Sequence, residues 1–297
     1  MTPEIAKQIT QEVLKEIESE QKIIFVRSER SAVSLDKKQN ITPPPHYQGE
    51  PMSQPIQSQP IQNLLGLHHR EALEFAKTIP NDSIDLIITD PPYDFAQAHS
   101  GGGFVTKQPY WKNIASKAKN FAFGFDFALL DEFERIQKSR NLYIFCNARL
   151  LQKLLNYYHN LGVYHIDVLI YHKTNPLPAF KYHYLQDLEY ILFICDDKKS
   201  MNNTFETSSK LYSDKILSKA ERYTTHPTEK PLKLIENLIL NSSNKGQIVY
   251  DPFSGSGTTA HACKSLNREF IGTEIDEDFI KQSKDRLAHK VIGNLFA

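Results

Sequence analysis

The chain has 297 residues, 40% of them hydrophobic, and its 35 basic residues balance 35 acidic ones. That is the composition of an ordinary globular protein with ample core for one large domain or two small ones, and a neutral total still allows a local basic face for nucleic acid. No apolar stretch approaches membrane-spanning length and acids stand where a signal peptide would be basic, so a cytoplasmic protein with no membrane partner is expected.

Residues 3–20 carry Ile5, Ile9, Val13, Leu14 and Ile17 at helical spacing, which predicts a short amphipathic helix, followed by a strand at residues 23–26. Composition then changes. Residues 41–62 hold six prolines and five glutamines without periodicity and read as an extended linker or surface arm. The expected organisation is a helical N-terminal extension over residues 1–40, the arm over 41–62 and one main domain over 63–297.

From residue 63 helices and strands alternate. The pattern predicts a helix over 69–78, a strand over 84–89, a helix over 127–137, a strand over 142–146 and a helix over 150–161. Strands at 164–171 and 188–195 follow without an intervening helix and read as a hairpin pair. A helix over 232–241, a strand over 248–250, a helix over 258–266, a strand over 270–274 and a last helix over 277–290 complete the series. Strands separated by helices predict an α/β fold: a doubly wound, mostly parallel sheet, with the hairpin pair adding an antiparallel edge. Cys146, Cys195 and Cys263 lie in or beside apolar runs and read as reduced core cysteines, with no metal site expected from their spacing.

Two strand ends carry unusual chemistry. The strand at 84–89 runs into Asp90-Pro91-Pro92-Tyr93, where the prolines end the ladder because they fix φ and lack an N–H. The strand at 248–250 runs into Asp251-Pro252-Phe253-Ser254-Gly255-Ser256-Gly257-Thr258-Thr259 and then a helix. Gly255 and Gly257 permit positive φ and close ligand approach, and Glu274 ends the next strand 19 residues after Gly255, where doubly wound sites grip ribose hydroxyls. The loop lacks a P-loop lysine and Asp251 would repel phosphates, so a nucleoside ligand without a triphosphate fits better.

These loops, in this order, resemble DNA amino-methyltransferases that use S-adenosylmethionine, in the β-class arrangement with the catalytic motif first. The segment His226-Pro227-Thr228-Glu229-Lys230-Pro231 matches the family's opening of the helix before the cofactor loop. The resemblance covers roughly residues 63–290 and implies a Rossmann-like methyltransferase fold. It implies that Asp90 and the Pro91 carbonyl hold the exocyclic amine of a flipped base, with Pro92 stiffening the loop and Tyr93 stacking on the base. It also implies a cofactor site of Asp251, Phe253, Ser254, Gly255, Gly257, Thr258, Thr259 and Glu274. Lys230 either reaches the methionine carboxylate or simply begins a helix. Asp85 and Asp94 rank below Asp90, since one is inside the strand and the other follows the tyrosine.

Double-stranded DNA is the expected substrate, and a second copy of the chain and a cognate restriction endonuclease are candidate protein partners. Between Phe95 and Phe125 stand Lys107, Lys112, Lys117 and Lys119 with interspersed aromatics and no acids, which suits phosphate contacts and base intrusion. A second basic segment, with Lys210, Lys215 and Arg222, falls in a short target-recognition insert expected near residues 196–225. Aspartate in the catalytic motif tilts the implied reaction toward adenine N6. The alternatives are cytosine-N4 methylation by the same chemistry and, from another class, a catalytically inert methyltransferase-like subunit that binds nucleic acid. Inert relatives tend to lose the acid or the glycines, and this chain keeps both.

Overall fold

The structure is a computed structural model that describes residues 60–92, 126–176, 184–196, 201–218, 220–226 and 228–288. The expected N-terminal helix and strand, nearly all of the arm, Tyr93, Asp94 and the four lysines between 107 and 119 lie outside these residues.

The elements are β1 (Gly66–His69), α1 (Ala72–Ala76), β2 (Leu86–Thr89), α2 (Ala128–Ile136), β3 (Asn141–Cys146), α3 (Ala148–Asn160), β4 (Ile166–Lys173), β5 (Leu188–Cys195), β6 (Leu211–Asp214), α4 (Leu232–Ser242), β7 (Ile248–Asp251), α5 (Thr258–Leu266), β8 (Glu269–Glu274) and α6 (Glu277–Ala288). The strands form one eight-stranded sheet in the order β1-β8-β7-β2-β3-β5-β4-β6. All neighbours are parallel except β5, which runs against both β3 and β4. The predicted pair β4–β5 is therefore antiparallel, but the reversed strand lies inside the sheet rather than at its edge. β6 is the edge there, paired parallel to β4.

Apolar strands make this sheet because both of its faces are covered. Along β2 Ile87 packs on one face while Leu86 and Ile88 pack on the other, and β3 alternates in the same way with Leu142 and Ile144 against Tyr143 and Phe145. One layer contains Phe75, Leu129, Phe133, Leu150, Leu154 and Tyr158 from α1, α2 and α3. The opposite layer contains Leu234, Ile235, Leu238, Ile239, Ala262 and Cys263 from α4 and α5. Local chemistry sets the helix ends. The Asn147 side chain accepts from the Leu150 N–H at 2.9 Å to start α3, and Asn267, in the left-handed region at φ 58°, closes α5. Asp85 is buried at the amino end of β2, where its carboxylate accepts from Lys138, Gln247 and the Ile248 N–H. It is a structural acid, at the opposite end of the strand from Asp90.

The strand order turns at β2 and β7. From β2 the chain proceeds to β3 on one side, and from β7 to β8 on the other, while β2 and β7 are themselves paired at Leu86↔Val249 and Ile87↔Tyr250. Both motif loops leave the carboxyl ends of these two neighbours, where open α/β sheets bind ligands.

Candidate functional site

Asp90 follows the last residue of β2, with Pro91 buried and Pro92 exposed beyond it. Its carboxylate is half-open, 25% exposed, and one oxygen receives a short charge-assisted hydrogen bond from Lys230 Nζ. The same ammonium donates to Glu189 Oε1 at 3.0 Å and stands 5.0 Å above the Phe145 ring. Burial would drive the Lys230 amine toward its neutral form, but the two carboxylates more than reverse this and hold it well above the ordinary lysine range. Lys230 is therefore a fixed cation beside Asp90.

On the neighbouring strand, Asp251 is buried, with Oδ1 accepting from the Phe253 N–H at 3.1 Å and Oδ2 from the Thr259 hydroxyl at 2.6 Å. The loop between them is tightly tied. Ser254 N–H donates to the Thr273 carbonyl and its hydroxyl to the Asp251 carbonyl, and the Ser256 and Thr258 hydroxyls pair at 3.0 Å. Phe253 is partly buried against the core. Gly255 and Gly257 have φ of 46° and 70°, and a Cβ on Gly257 would stand 2.8 Å from the Ser283 Cβ. Both positive φ and close packing therefore require glycine at 257. Glu274, at the end of β8, accepts from the Gly255 N–H at 2.9 Å and the Asp276 N–H at 2.8 Å. Burial raises the Glu274 carboxyl above the ordinary range, with these amides opposing the rise. His226 lies over the Gly255 turn and against the Phe279 ring; burial, with Lys230 and Arg222 nearby, lowers it to about 4, so the ring is neutral.

The donor set suits S-adenosylmethionine. Two carboxylates flanking a glycine turn, Asp251 buried and Glu274 partly buried, favour a cation and hydroxyl donors, and would reject a triphosphate.

Residues 84–285 match the DNA methylase family of N6- and N4-methyltransferases. The chain belongs to that family. It is 30% identical to the Type II methyltransferase M.HpaI of Haemophilus parainfluenzae, over 75% of this chain and 74% of that protein. It is 29% identical to the DNA adenine methyltransferase YhdJ of Escherichia coli (strain K12), over 74% of this chain and 81% of that protein. Among solved structures it is similar to the S-adenosylmethionine complex of M1.HpyAVI, with a TM-score of 0.56 and 28% identity, covering 75% of this chain and 98% of that one.

The methylase's second basic segment is more committed than its sequence suggests. Lys210 is ion-paired with Asp167 and Lys215 with Glu221, while Arg222 Nη1 donates to the His226 carbonyl at 2.8 Å. Part of the segment read as a target-recognition insert forms β6, and Asn237 and Asn241 of α4 donate to the Thr207 carbonyl beside it. The structure also adds contacts that the sequence did not mark. Glu189 and Lys173, 3.3 Å apart, extend the charge cluster around Asp90. Glu229 and Arg286 form a buried pair at 3.2 Å behind the glycine loop. The signal for Glu189 was a single acid at the start of the apolar run Tyr190–Cys195.

Proposed function

We propose that this protein transfers a methyl group from S-adenosylmethionine to the N6 amine of a flipped adenine at a specific sequence in double-stranded DNA. The carrying observation is that Asp90 and the Asp251–Thr259 loop leave the carboxyl ends of paired strands at the point where the strand order turns. The YhdJ relative's name supports adenine over cytosine. S-Adenosylmethionine supplies an electrophilic methyl group on a sulfonium. Asp90 and the Pro91 carbonyl accept the two N–H groups of the target amine, which localises its lone pair and aims it. Tyr93 stacks on the extruded base, contributing about 1–3 kcal/mol against the cost of unpairing it. Lys107, Lys112, Lys117 and Lys119 contact phosphates, and the 196–225 segment reads part of the sequence. The Type II relatives support a cognate endonuclease as a system partner, and DNA as substrate supports a cytoplasmic place of action.

The test is incubation with labelled cofactor and mixed-sequence DNA, followed by sequencing for modified bases. N6-methyladenine at one recurring sequence is expected. Label in cytosine would overturn the base assignment, and unlabelled DNA would overturn the function.

Asp251 gives the cofactor site a pH dependence. Burial pushes its carboxyl up to about 7, outweighing the hydrogen bonds from Thr259 and Phe253, with Asp90 and Glu274 adding to the rise. An exposed aspartate loses its proton near about 4, so the folded chain retains a proton that the unfolded chain has lost between about pH 4 and 7. The stability due to Asp251 therefore falls across that window and is level above it. The methionine ammonium favours the ionised carboxylate, so cofactor affinity should rise with pH toward about 7 and decline above about 8 as the α-amine deprotonates. Calorimetric titration should show proton release on binding near pH 6.5. Asp251→Asn should weaken binding and flatten the profile below neutrality. Proton-independent binding by the wild-type protein would reject this role.

A further inference from the structure

Glu189 belongs to neither motif loop, yet it stands at the catalytic centre because β5 is reversed. Its amino end lies beside the carboxyl ends of β3 and β4, one strand removed from β2. Four neighbouring strands thus present Asp90, Phe145, Glu189 and Lys173 to one region, and Lys230 enters from the segment before α4. The charges alternate as Lys173, Glu189, Lys230 and Asp90, through contacts at 3.3 Å, at 3.0 Å and through the short Lys230–Asp90 bond. The Glu189 and Lys230 side chains are 6% and 11% exposed, whereas Asp90, the outermost of the three, is 25% exposed.

We propose that Lys230 and Glu189 are positioning residues for methyl transfer: Glu189 fixes the Lys230 ammonium, and the ammonium fixes the Asp90 carboxylate that receives the target amine. This rests on the reading that Asp90 receives the amine. An ammonium already shared by two carboxylates and an aromatic face is a poor receptor for a third carboxylate, which argues against Lys230 binding the methionine end of the cofactor. Shape alone would be served as well by apolar side chains, since buried ion pairs seldom improve on them in stability. What the pair adds is a fixed carboxylate: a hydrogen bond to one oxygen restrains rotation of the carboxyl plane. Glu189 also shares the ammonium, so Asp90 keeps negative charge for the amine instead of spending it on Lys230.

Glu189→Gln should lower kcat about tenfold, with KM for DNA and the cofactor dissociation constant within about twofold of wild type. Lys230→Met should lower kcat about a hundredfold with the same two constants preserved, and Lys230→Arg should recover part of the loss. The Glu189→Gln/Lys230→Met double variant should be no slower than Lys230→Met alone, because the two act as one unit. Cofactor binding is read by calorimetry on the protein without DNA, and folding by thermal melting. Should Lys230→Met fail to fold, the near-isosteric Glu189→Gln and the charge-conserving Lys230→Arg decide. A Lys230→Met loss confined to cofactor binding, a wild-type kcat in Glu189→Gln, or losses that multiply in the double variant would each overturn the proposal. Wild-type protein that transfers no methyl to DNA would overturn the underlying function as well.

Discussion

Asp90→Ala should lower methyl transfer by at least about a thousandfold while leaving the cofactor dissociation constant within about threefold. The exocyclic amine is a weak nucleophile because its lone pair is spread into the ring, and in the proposed reaction the carboxylate is the acceptor that draws it back. Removing that acceptor forfeits both orientation and electrostatic stabilisation, each a large contribution to catalysis. The fold should survive, because Lys230 still has Glu189 at 3.0 Å and its charge is not orphaned. Cofactor binding should survive because Asp251, Glu274 and the glycine turn are held by their own hydrogen bonds. Asp90→Asn keeps the shape and one acceptor oxygen but loses the charge, so it should fall between Asp90→Ala and wild type. Turnover of labelled cofactor on mixed DNA measures all three. Wild-type turnover in Asp90→Ala would remove Asp90 from the mechanism.

The parts of the fold legible from sequence are those in which burial on two faces imposes a pattern. Strands β2, β3, β5 and β7 are near-continuous apolar runs because helices cover both faces, and each was visible as such. The two missed strands are the two sheet edges. β1 is Gly-Leu-His-His and β6 is Leu-Tyr-Ser-Asp; among the described residues each pairs on one side only, so neither needs an apolar run. The predicted helix from residue 69 begins later, at Ala72, because His69 is taken up by pairing with Glu274.

The same distinction holds at the site. The placement of Asp90 and the Asp251–Thr259 loop at neighbouring strand ends was legible because backbone geometry demands proline and glycine at fixed spacing. Glu189 and Arg286 were not, because Lys230 and Glu229 lie far from them in sequence and only the folded chain brings each pair together. Glu274 shows a third case. Its distance from Gly255 marked it as a ribose ligand, and the structure adds that it braces the glycine turn through the Gly255 N–H. A loss of cofactor binding in Glu274→Ala would therefore combine both effects.

Breaking the Glu229–Arg286 pair is the larger expected effect on stability, because neither charge has access to water. The two side chains are 1% and 2% exposed at 3.2 Å, and truncating one partner of such a pair costs about 3–5 kcal/mol through the charge left behind. For a domain of this size that corresponds to a fall of roughly 6–20 °C in Tm. Arg286→Met should show it, and should also weaken cofactor binding. Arg286 Nη1 donates to the Ser256 carbonyl and the Thr258 hydroxyl, each at 3.0 Å, while Glu229 accepts from the Thr224 hydroxyl at 3.0 Å and its N–H at 3.2 Å. The pair thus ties the segment carrying Lys230 to the back of the cofactor loop. Glu229→Met combined with Arg286→Met separates the two consequences. Stability should largely return, since apolar side chains replace a buried pair at little cost, but cofactor affinity should stay low because the loop has lost its brace. Thermal melting and calorimetric titration of the single and double variants read these independently. A wild-type Tm in Arg286→Met would mean that water or a shifted side chain takes up the charge. A double variant as unstable as the single one would place the cost in the lost hydrogen bonds rather than in the orphaned charge.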